Sequence, residues 1–221
     1  MENNSTTPEI KDYYSQLLGL SGDDSYEERC KLHTVCGHDG GILHSGDGRI
    51  SIVTYHGDFN YSAVNDLGAS YASGEYILLL NNDTEVITAN WMEEMLMYAQ
   101  REDVGAVGAK LYYADKTIQH AGVVIGLGAH RTAGHTHYRI PVQNLGYMGR
   151  LCYTQNVTAV TGACLLVKKS LYEQVGGLDE SFVISLNDVD FCLKLRKLGL
   201  LNVWTPFAEL YHCLLYTSDA A

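Results

Sequence analysis

Nowhere does the chain carry an apolar run long enough to cross a bilayer, a cluster of lysine and arginine, or an opening stretch that reads as a signal peptide. A cytoplasmic protein is therefore expected. Basic residues are few, 15 against 26 acidic ones, for a formal charge of −11. That balance argues against a nucleic-acid partner held through phosphate contacts. It also repels a phosphorylated substrate at long range, so a bound cation would be useful locally. Proline is scarce, three in 221 residues, and an apolar share of 46% gives no sign of disorder. A chain of this length can bury a sizeable core. No internal repeat is visible, and no glycine-rich basic loop of the kind nucleotidyltransferases use stands near the start.

Six cysteines (Cys30, Cys36, Cys152, Cys164, Cys192, Cys213) are scattered, several in apolar runs, and read as reduced thiols packed as small hydrophobes. Cys30, His33, Cys36 and His38 make four potential zinc ligands, but their spacing matches no common zinc motif and no metal is expected there. Residues 8–18 read as a short helix. Residues 19–48 are glycine-rich with little periodicity and read as a long surface excursion.

What is present from Arg49 onward is an alternation of strand and helix patterns. Strands are expected over 49–55, 76–80, 104–111 and 121–127, and helices over 61–73, 91–101, 168–176 and 187–198. Residues 128–150 read as a loop over one face, and 157–167 as one long apolar run. The alternation argues for a parallel sheet in the first half and a more mixed second half.

The run Tyr76–Leu80 ends abruptly at Asn81-Asn82-Asp83. Ligands of open α/β sheets collect beyond the carboxyl ends of such strands. A carboxylate flanked by neutral amides there suits a hard divalent cation that also holds phosphate oxygens. A turn in which Asn82 and Asp83 cap a helix starting near Asn90 accounts for the same residues. Asp188 and Asp190 open the last helix. Capping is the simpler explanation from spacing alone, and a general base facing a substrate hydroxyl is the sharper one. Gly162-Ala163 within an apolar run suggests the close approach of a ligand or another backbone. His212 ends an extended segment, where a structural role is the usual one. His120, His135 and His137 lie near the loop face, where they could bind a polar acceptor or simply be exposed, and exposure is the expectation.

These blocks together resemble family 2 glycosyltransferases of the GT-A fold. The resemblance is carried by Asn60-Tyr61-Ser62-Ala63-x-Asn65-x-x-Gly68, by Ala72-x-Gly74-Glu75-Tyr76-x-Leu78-x-Leu80-Asn81-Asn82-Asp83, and by Val104-Gly105-Ala106-Val107-Gly108. It continues in Thr161-Gly162-Ala163, Gly176-Gly177-Leu178-Asp179-Glu180-x-Phe182, Asn187-Asp188-x-Asp190-x-Cys192-Leu193 and Pro206-x-Ala208-x-x-x-His212. Bacterial rhamnosyltransferase-like members are the nearest in look. The fold implied is α/β, a mixed and mainly parallel sheet flanked by helices. It would form one domain over 1–212, with 19–48 inserted and 213–221 an unrelated tail. By the family's pattern the first βαβ unit is absent, so the chain alone is expected to bind sugar nucleotide poorly.

The resemblance further implies roles for individual residues. Asp83 would hold Mn2+ or Mg2+ on the donor diphosphate, with Asn81 standing where the family carries an acidic residue and His212 as second metal ligand. Asp188 would be the general base of a single inverting displacement, with Asp190 in support. Gly162 and Ala163 would line the acceptor side, and Glu2, Asn3, Asn4, Asn65, Asn81 and Asn82 would contact substrate. The partners implied are a nucleotide-sugar donor and a saccharide or lipid-linked acceptor of surface polysaccharide, with peripheral attachment to the inner membrane face allowed. A non-catalytic nucleotide- or carbohydrate-binding fragment of such an enzyme is the alternative.

Overall fold

The computed structural model describes residues 32–37, 43–44, 50–127 and 131–213. The chain divides into two compact units, one of Met1–Phe59 with Val64–Gly74, the other of Asn60–Ala63 with Glu75–Ala221.

In the smaller unit three strands, β1 (Leu32–Gly37), β2 (Leu43–His44) and β3 (Ile50–Tyr55), lie in the order β1-β3-β2. β1 runs parallel to β3 and β2 antiparallel to it. Two strands thus fall inside the stretch read as an irregular excursion. Their local pattern is weak, and pairing to β3 supplies what sequence periodicity does not. Helix α1 (Tyr61–Tyr71) begins among residues of the larger unit, where the Asn60 side-chain oxygen accepts the Ala63 N–H at 3.2 Å. That is an N-terminal cap. The expected helix at 8–18 lies outside the described residues, as do Cys30 and His38.

The larger unit is built on a seven-stranded sheet of β4 (Tyr76–Leu80), β5 (Thr84–Val86), β6 (Val104–Tyr112), β7 (Ile118–His120), β10 (Gln155–Val157), β11 (Cys164–Lys168) and β12 (Leu201–His212). Its main path is β10-β12-β6-β11-β4, with β5 on β12 and β7 on β6. A separate two-stranded ribbon pairs β8 (Val123–Ile125) with β9 (Ala133–His135).

The sheet is mixed, as expected, but its parallel share is smaller than expected. Among the described residues only β12 with β6 is a parallel pair of this sheet, and β11 is antiparallel to both β4 and β6. Parallel neighbours need a crossover between them. β11 keeps the direction of β10, which is antiparallel to β12, and so runs against β6 and β4 beside it. A turn breaks the run 157–167, expected to be continuous, at residues 158–163.

Helix α2 (Trp91–Ala99) explains the core. Trp91, Met95 and Ala99 fall on one face at helical spacing and pack with Val107, Ala109 and Leu111 of β6, Cys164 of β11 and Leu210 of β12. Gly108 is required on β6, because a Cβ there would lie 2.5 Å from the Cβ of Val160. Helices α3 (Lys169–Gln174) and α4 (Asn187–Lys197) meet through the rings of Tyr172 and Phe191, 5.1 Å apart. Burial pushes the Cys164 and Cys192 thiols up to about 12, so both pack as inert hydrophobes. No helix among the described residues is long and apolar enough to cross a membrane.

Candidate active site

β4 ends at Leu80, and the chain turns through Asn81-Asn82-Asp83 into β5 rather than into a helix. The turn is tied on both sides: the Asn81 N–H donates to the Ala163 carbonyl at 3.0 Å, and the Thr84 hydroxyl to the Asn81 carbonyl at 2.8 Å. α2 has Asn90 at its cap position, so Asn82 and Asp83 do not cap it.

β12 delivers His212 to this turn, since His212 pairs with Thr84 in the β12–β5 register and the Cys213 N–H donates to the Asp83 carbonyl at 2.8 Å. The His212 side chain is only 8% exposed, and its Nε2 lies 3.0 Å from Asp83 Oδ1 and 3.0 Å from Asn81 Nδ2. Its other nitrogen, Nδ1, is 2.7 Å from Gln119 Oε1. The Gln119 amide nitrogen donates to the His212 carbonyl at 3.4 Å, which fixes the direction of that amide. His212 Nδ1 must therefore donate, and in the neutral ring Nε2 carries a lone pair toward Asn81 and Asp83. An imidazole oriented through its far nitrogen by an amide, with a carboxylate oxygen beside its near nitrogen, is a donor pair of a kind that suits a divalent metal. Among the described residues no group of three or more His, Cys, Asp or Glu that could hold a metal ion is found.

The second carboxylate comes from α4. Leu186, immediately before the helix, is held at φ 68° with no side-chain cap, so neither Asn187 nor Asp188 takes the cap position. Instead Asp188 Oδ2 accepts the Gly162 N–H at 2.9 Å and Oδ1 accepts the Val189 N–H at 2.8 Å. Asp190 turns elsewhere, its carboxylate 2.9 Å from Lys194 Nζ one helical turn on, so the structure does not bring it to Asp188.

Thr161-Gly162-Ala163 is the hinge between the two carboxylates. Gly162 holds Asp188, and Ala163 holds Asn81, which meets His212 beside Asp83. Asp83, Asn81, His212, Gly162, Ala163 and Asp188 thus lie along one connected path at the end of β4 and β12. What approaches Gly162 is a side chain: the Tyr61 hydroxyl donates to the Gly162 carbonyl at 2.9 Å, and a Cβ at 162 would stand 2.8 Å from that oxygen. Neither a ligand nor a second backbone is needed to explain the glycine. Asn82 is exposed on the turn. Asn65 lies on α1 within the smaller unit, and Glu2, Asn3 and Asn4 are outside the described residues.

One residue beside the site, Gln119, escaped the sequence reading, and another, His120, was placed wrongly by it. Gln119 and His120 sit between apolar residues on β7, and His120, expected to be exposed, is fully buried. His120 Nδ1 is 2.9 Å from His135 Nδ1, and its Nε2 is 3.4 Å from the Thr161 N–H. Burial lowers the proton affinity of both rings. Neighbouring histidines lower that of His120 further, while for His135 the Asp188 charge raises it and His212 lowers it. The sequence offered no clear signal, because two adjacent polar residues break the period-two alternation of a half-buried strand.

A family model described as "Glycosyl transferase family 2" matches residues 42–176, more than half of the chain. The chain is 49% identical over 173 residues to an uncharacterized protein, y4gI, of Sinorhizobium fredii, covering 78% of this chain and 19% of that protein. It is 41% identical over 167 residues to the O-antigen biosynthesis protein RfbC of Myxococcus xanthus, covering 75% and 13%. The chain thus spans a fifth or less of the length of these two relatives. Among solved structures, the mannosyltransferase PcManGT of Pyrobaculum calidifontis, in complex with GDP-Man and Mn2+, superposes with a TM-score of 0.61 at 10% identity, covering 100% of this chain and 56% of that one.

Proposed function

The chain belongs to glycosyl transferase family 2, and on that footing we propose an inverting, cation-dependent transfer of a sugar from a nucleotide donor to a saccharide or lipid-linked acceptor. The fold is that of GT-A glycosyltransferases. Assembly of surface polysaccharide is the setting suggested by the name of the O-antigen relative. The observation that carries the reading is the path from Asp83 through His212, Asn81 and the 161–163 turn to Asp188.

Asp83 Oδ1 and His212 Nε2 are the atoms we assign to Mn2+ or Mg2+, with Gln119 orienting the imidazole. When bound, such an ion supplies positive charge beside the departing nucleoside diphosphate, which suits an otherwise acidic chain. Asp188 is the general base. Its carboxylate takes the proton of the acceptor hydroxyl as that oxygen bonds to the anomeric carbon and the bond from that carbon to phosphate oxygen breaks, giving inversion in one step. The backbone N–H groups of Gly162 and Val189 hold the carboxylate in place and leave lone pairs for the incoming proton. Asp190, paired with Lys194, steadies the first turns of α4 rather than reacting.

The test is Asp188→Asn assayed with a panel of nucleotide sugars. Transfer should fall by about 10²–10⁴-fold, the usual worth of a positioned base, while calorimetric donor binding stays unchanged. Full transfer by the variant overturns the reading. A parent chain that binds nucleotide sugar without transfer would instead establish the non-catalytic alternative.

A further inference from the structure

Residues 116–172 carry Lys116, Arg131, Arg139, Arg150, Lys168 and Lys169 but no aspartate or glutamate, although the whole sequence holds 26 acidic residues against 15 basic ones. Positive charge is thus gathered in one stretch of an otherwise acidic chain. The same stretch holds the two most exposed large apolar side chains among the described residues, Met148 at 80% and Tyr147 at 78%, with Leu145 at 63% beside them.

These side chains stand on a built turn. The N–H groups of Gly149, Arg150, Leu151 and Cys152 donate to the carbonyls of Gly146, Tyr147, Leu145 and Gly149 at 2.9–3.2 Å. The Asn144 side-chain oxygen accepts the Gly146 N–H at 2.8 Å. Leu151 is buried and anchors the turn, and a Cβ on Gly146 would stand 3.0 Å from Leu151 and 3.2 Å from His137 Nε2. Next to His137 along the chain come Tyr138, exposed, and Arg139, which pairs with Asp115 at 3.2 Å. Arg150 has a neutral partner, Gln155 Oε1, at 2.8 Å. Met148 is held at φ 53°, a conformation costly for any residue but glycine. A strained backbone that keeps apolar side chains in water does nothing for the core.

An apolar tip beside cations, with backbone donors met inside the turn, has what the headgroup boundary of an anionic bilayer demands. The acidic remainder of the chain does not forbid this, because salt screens charges lying more than about 8 Å from the surface. Nucleic acid fits less well, since Leu145 and Met148 offer no ring on which bases stack.

We propose that the turn 145–150 docks this protein on an anionic lipid surface, with Tyr147 and Met148 entering the headgroup boundary and Arg150 meeting lipid phosphate.

Co-sedimentation of the whole chain with vesicles of mixed phosphatidylglycerol and phosphatidylcholine, and with vesicles of phosphatidylcholine alone, tests it. The chain should partition more strongly onto the anionic vesicles, and high salt should reduce the difference. Arg150→Gln should weaken partition about fivefold, and Tyr147→Ser combined with Met148→Ser about tenfold or more. Ile184→Ser, at a side chain 67% exposed outside this stretch, should leave partition unchanged. Trp91 and Trp204 are both buried, so the indole of Tyr147→Trp reports on the surface. Its emission should shift to the blue and be quenched by brominated phosphatidylglycerol. Equal partition onto both vesicle types, an unweakened double variant, an equal loss in Ile184→Ser, or an indole unmoved by lipid overturns the proposal. Self-association lost in the double variant, without vesicle binding, would make a second copy of the chain the occupant and overturn it as well. Vesicle binding is read without sugar transfer, so failure of the functional reading would show separately, in the Asp188→Asn assay.

Discussion

Glu209 and His212 stand three residues apart on β12, on opposite faces of the strand, and the contrast between their surroundings separates scaffold from site. Around Glu209 the polar groups close on one another. Lys110 Nζ lies 3.8 Å from Glu209 and 3.4 Å from the Leu151 carbonyl, the Tyr112 hydroxyl donates to Glu209, and Lys110 stands 5.3 Å over the Tyr112 ring. Burial pulls the Lys110 proton affinity down against the pull of Glu209, and burial followed by Glu209 drives that of Tyr112 up. The Tyr112 hydroxyl is thereby kept protonated and donating, and the cluster closes on itself, which is what a scaffold needs. Around His212 the polar groups converge instead at the end of the strand. Gln119 fixes Nδ1, while Nε2 meets both Asn81 Nδ2 and Asp83 Oδ1 at 3.0 Å. Two electron-rich atoms held that close by the scaffold call for a proton or a cation between them.

Breaking each side should therefore show in different measurements. The largest effect is that of Asp188→Asn on transfer. Next comes Gln119→Leu, which leaves the His212 tautomer free. Mn2+ affinity should fall about 10–100-fold, as for other groups that orient a metal ligand, and calorimetric titration of Mn2+ with and without nucleoside diphosphate, on a variant shown to be folded, checks this. Lys110→Met acts on the other face. It should cost about 1–3 kcal/mol in urea unfolding by leaving buried partners unmet, with Mn2+ affinity unchanged.

The smallest effect is a pH slope from the His120–His135 pair. Their folded proton affinities lie below the ordinary value of about 6.5. Unfolded histidines take up protons as pH falls through that value and the folded rings do not. Stability is therefore fully present above it and declines below it, by at most ~1.4 kcal/mol per pH unit for each ring, until the lower folded values are reached. Urea unfolding at pH 7.5 and 5.5 measures the decline, and His120→Asn should flatten it.

The strands and helices with strong local patterns were legible in the sequence: Tyr76–Leu80 has the bounds read for it, and Val104–Tyr112, Trp91–Ala99 and Asn187–Lys197 differ from theirs by one or two residues at most. Each has a clean apolar period or run. β11 was not, because its bounds and antiparallel direction follow from its pairing with β4 and β6 rather than from its own residues. The bends at 121–122 and 126–127, which reduce the expected strand 121–127 to β8, likewise leave no mark on apolar content. In the site, Asp83 and Asp188 were visible as carboxylates at element ends. The resemblance grouped Asn81, Asp83 and His212, but the hydrogen-bonded link onward to Asp188 through Ala163 and Gly162 was not legible, since its residues are far apart in the chain. His120 was misread for the same reason: its partners, His135 and the Thr161 N–H, lie 15 and 41 residues away, and only their company makes a buried histidine tolerable.

The most direct test of the account is calorimetric binding of UDP, GDP and dTDP, with and without Mn2+, to the parent chain, to Asp83→Asn and to Asp188→Asn. The account predicts that Mn2+ strengthens binding of at least one nucleotide to the parent and to Asp188→Asn, and that Asp83→Asn loses this strengthening. Equal Mn2+ dependence in Asp83→Asn and the parent would contradict it.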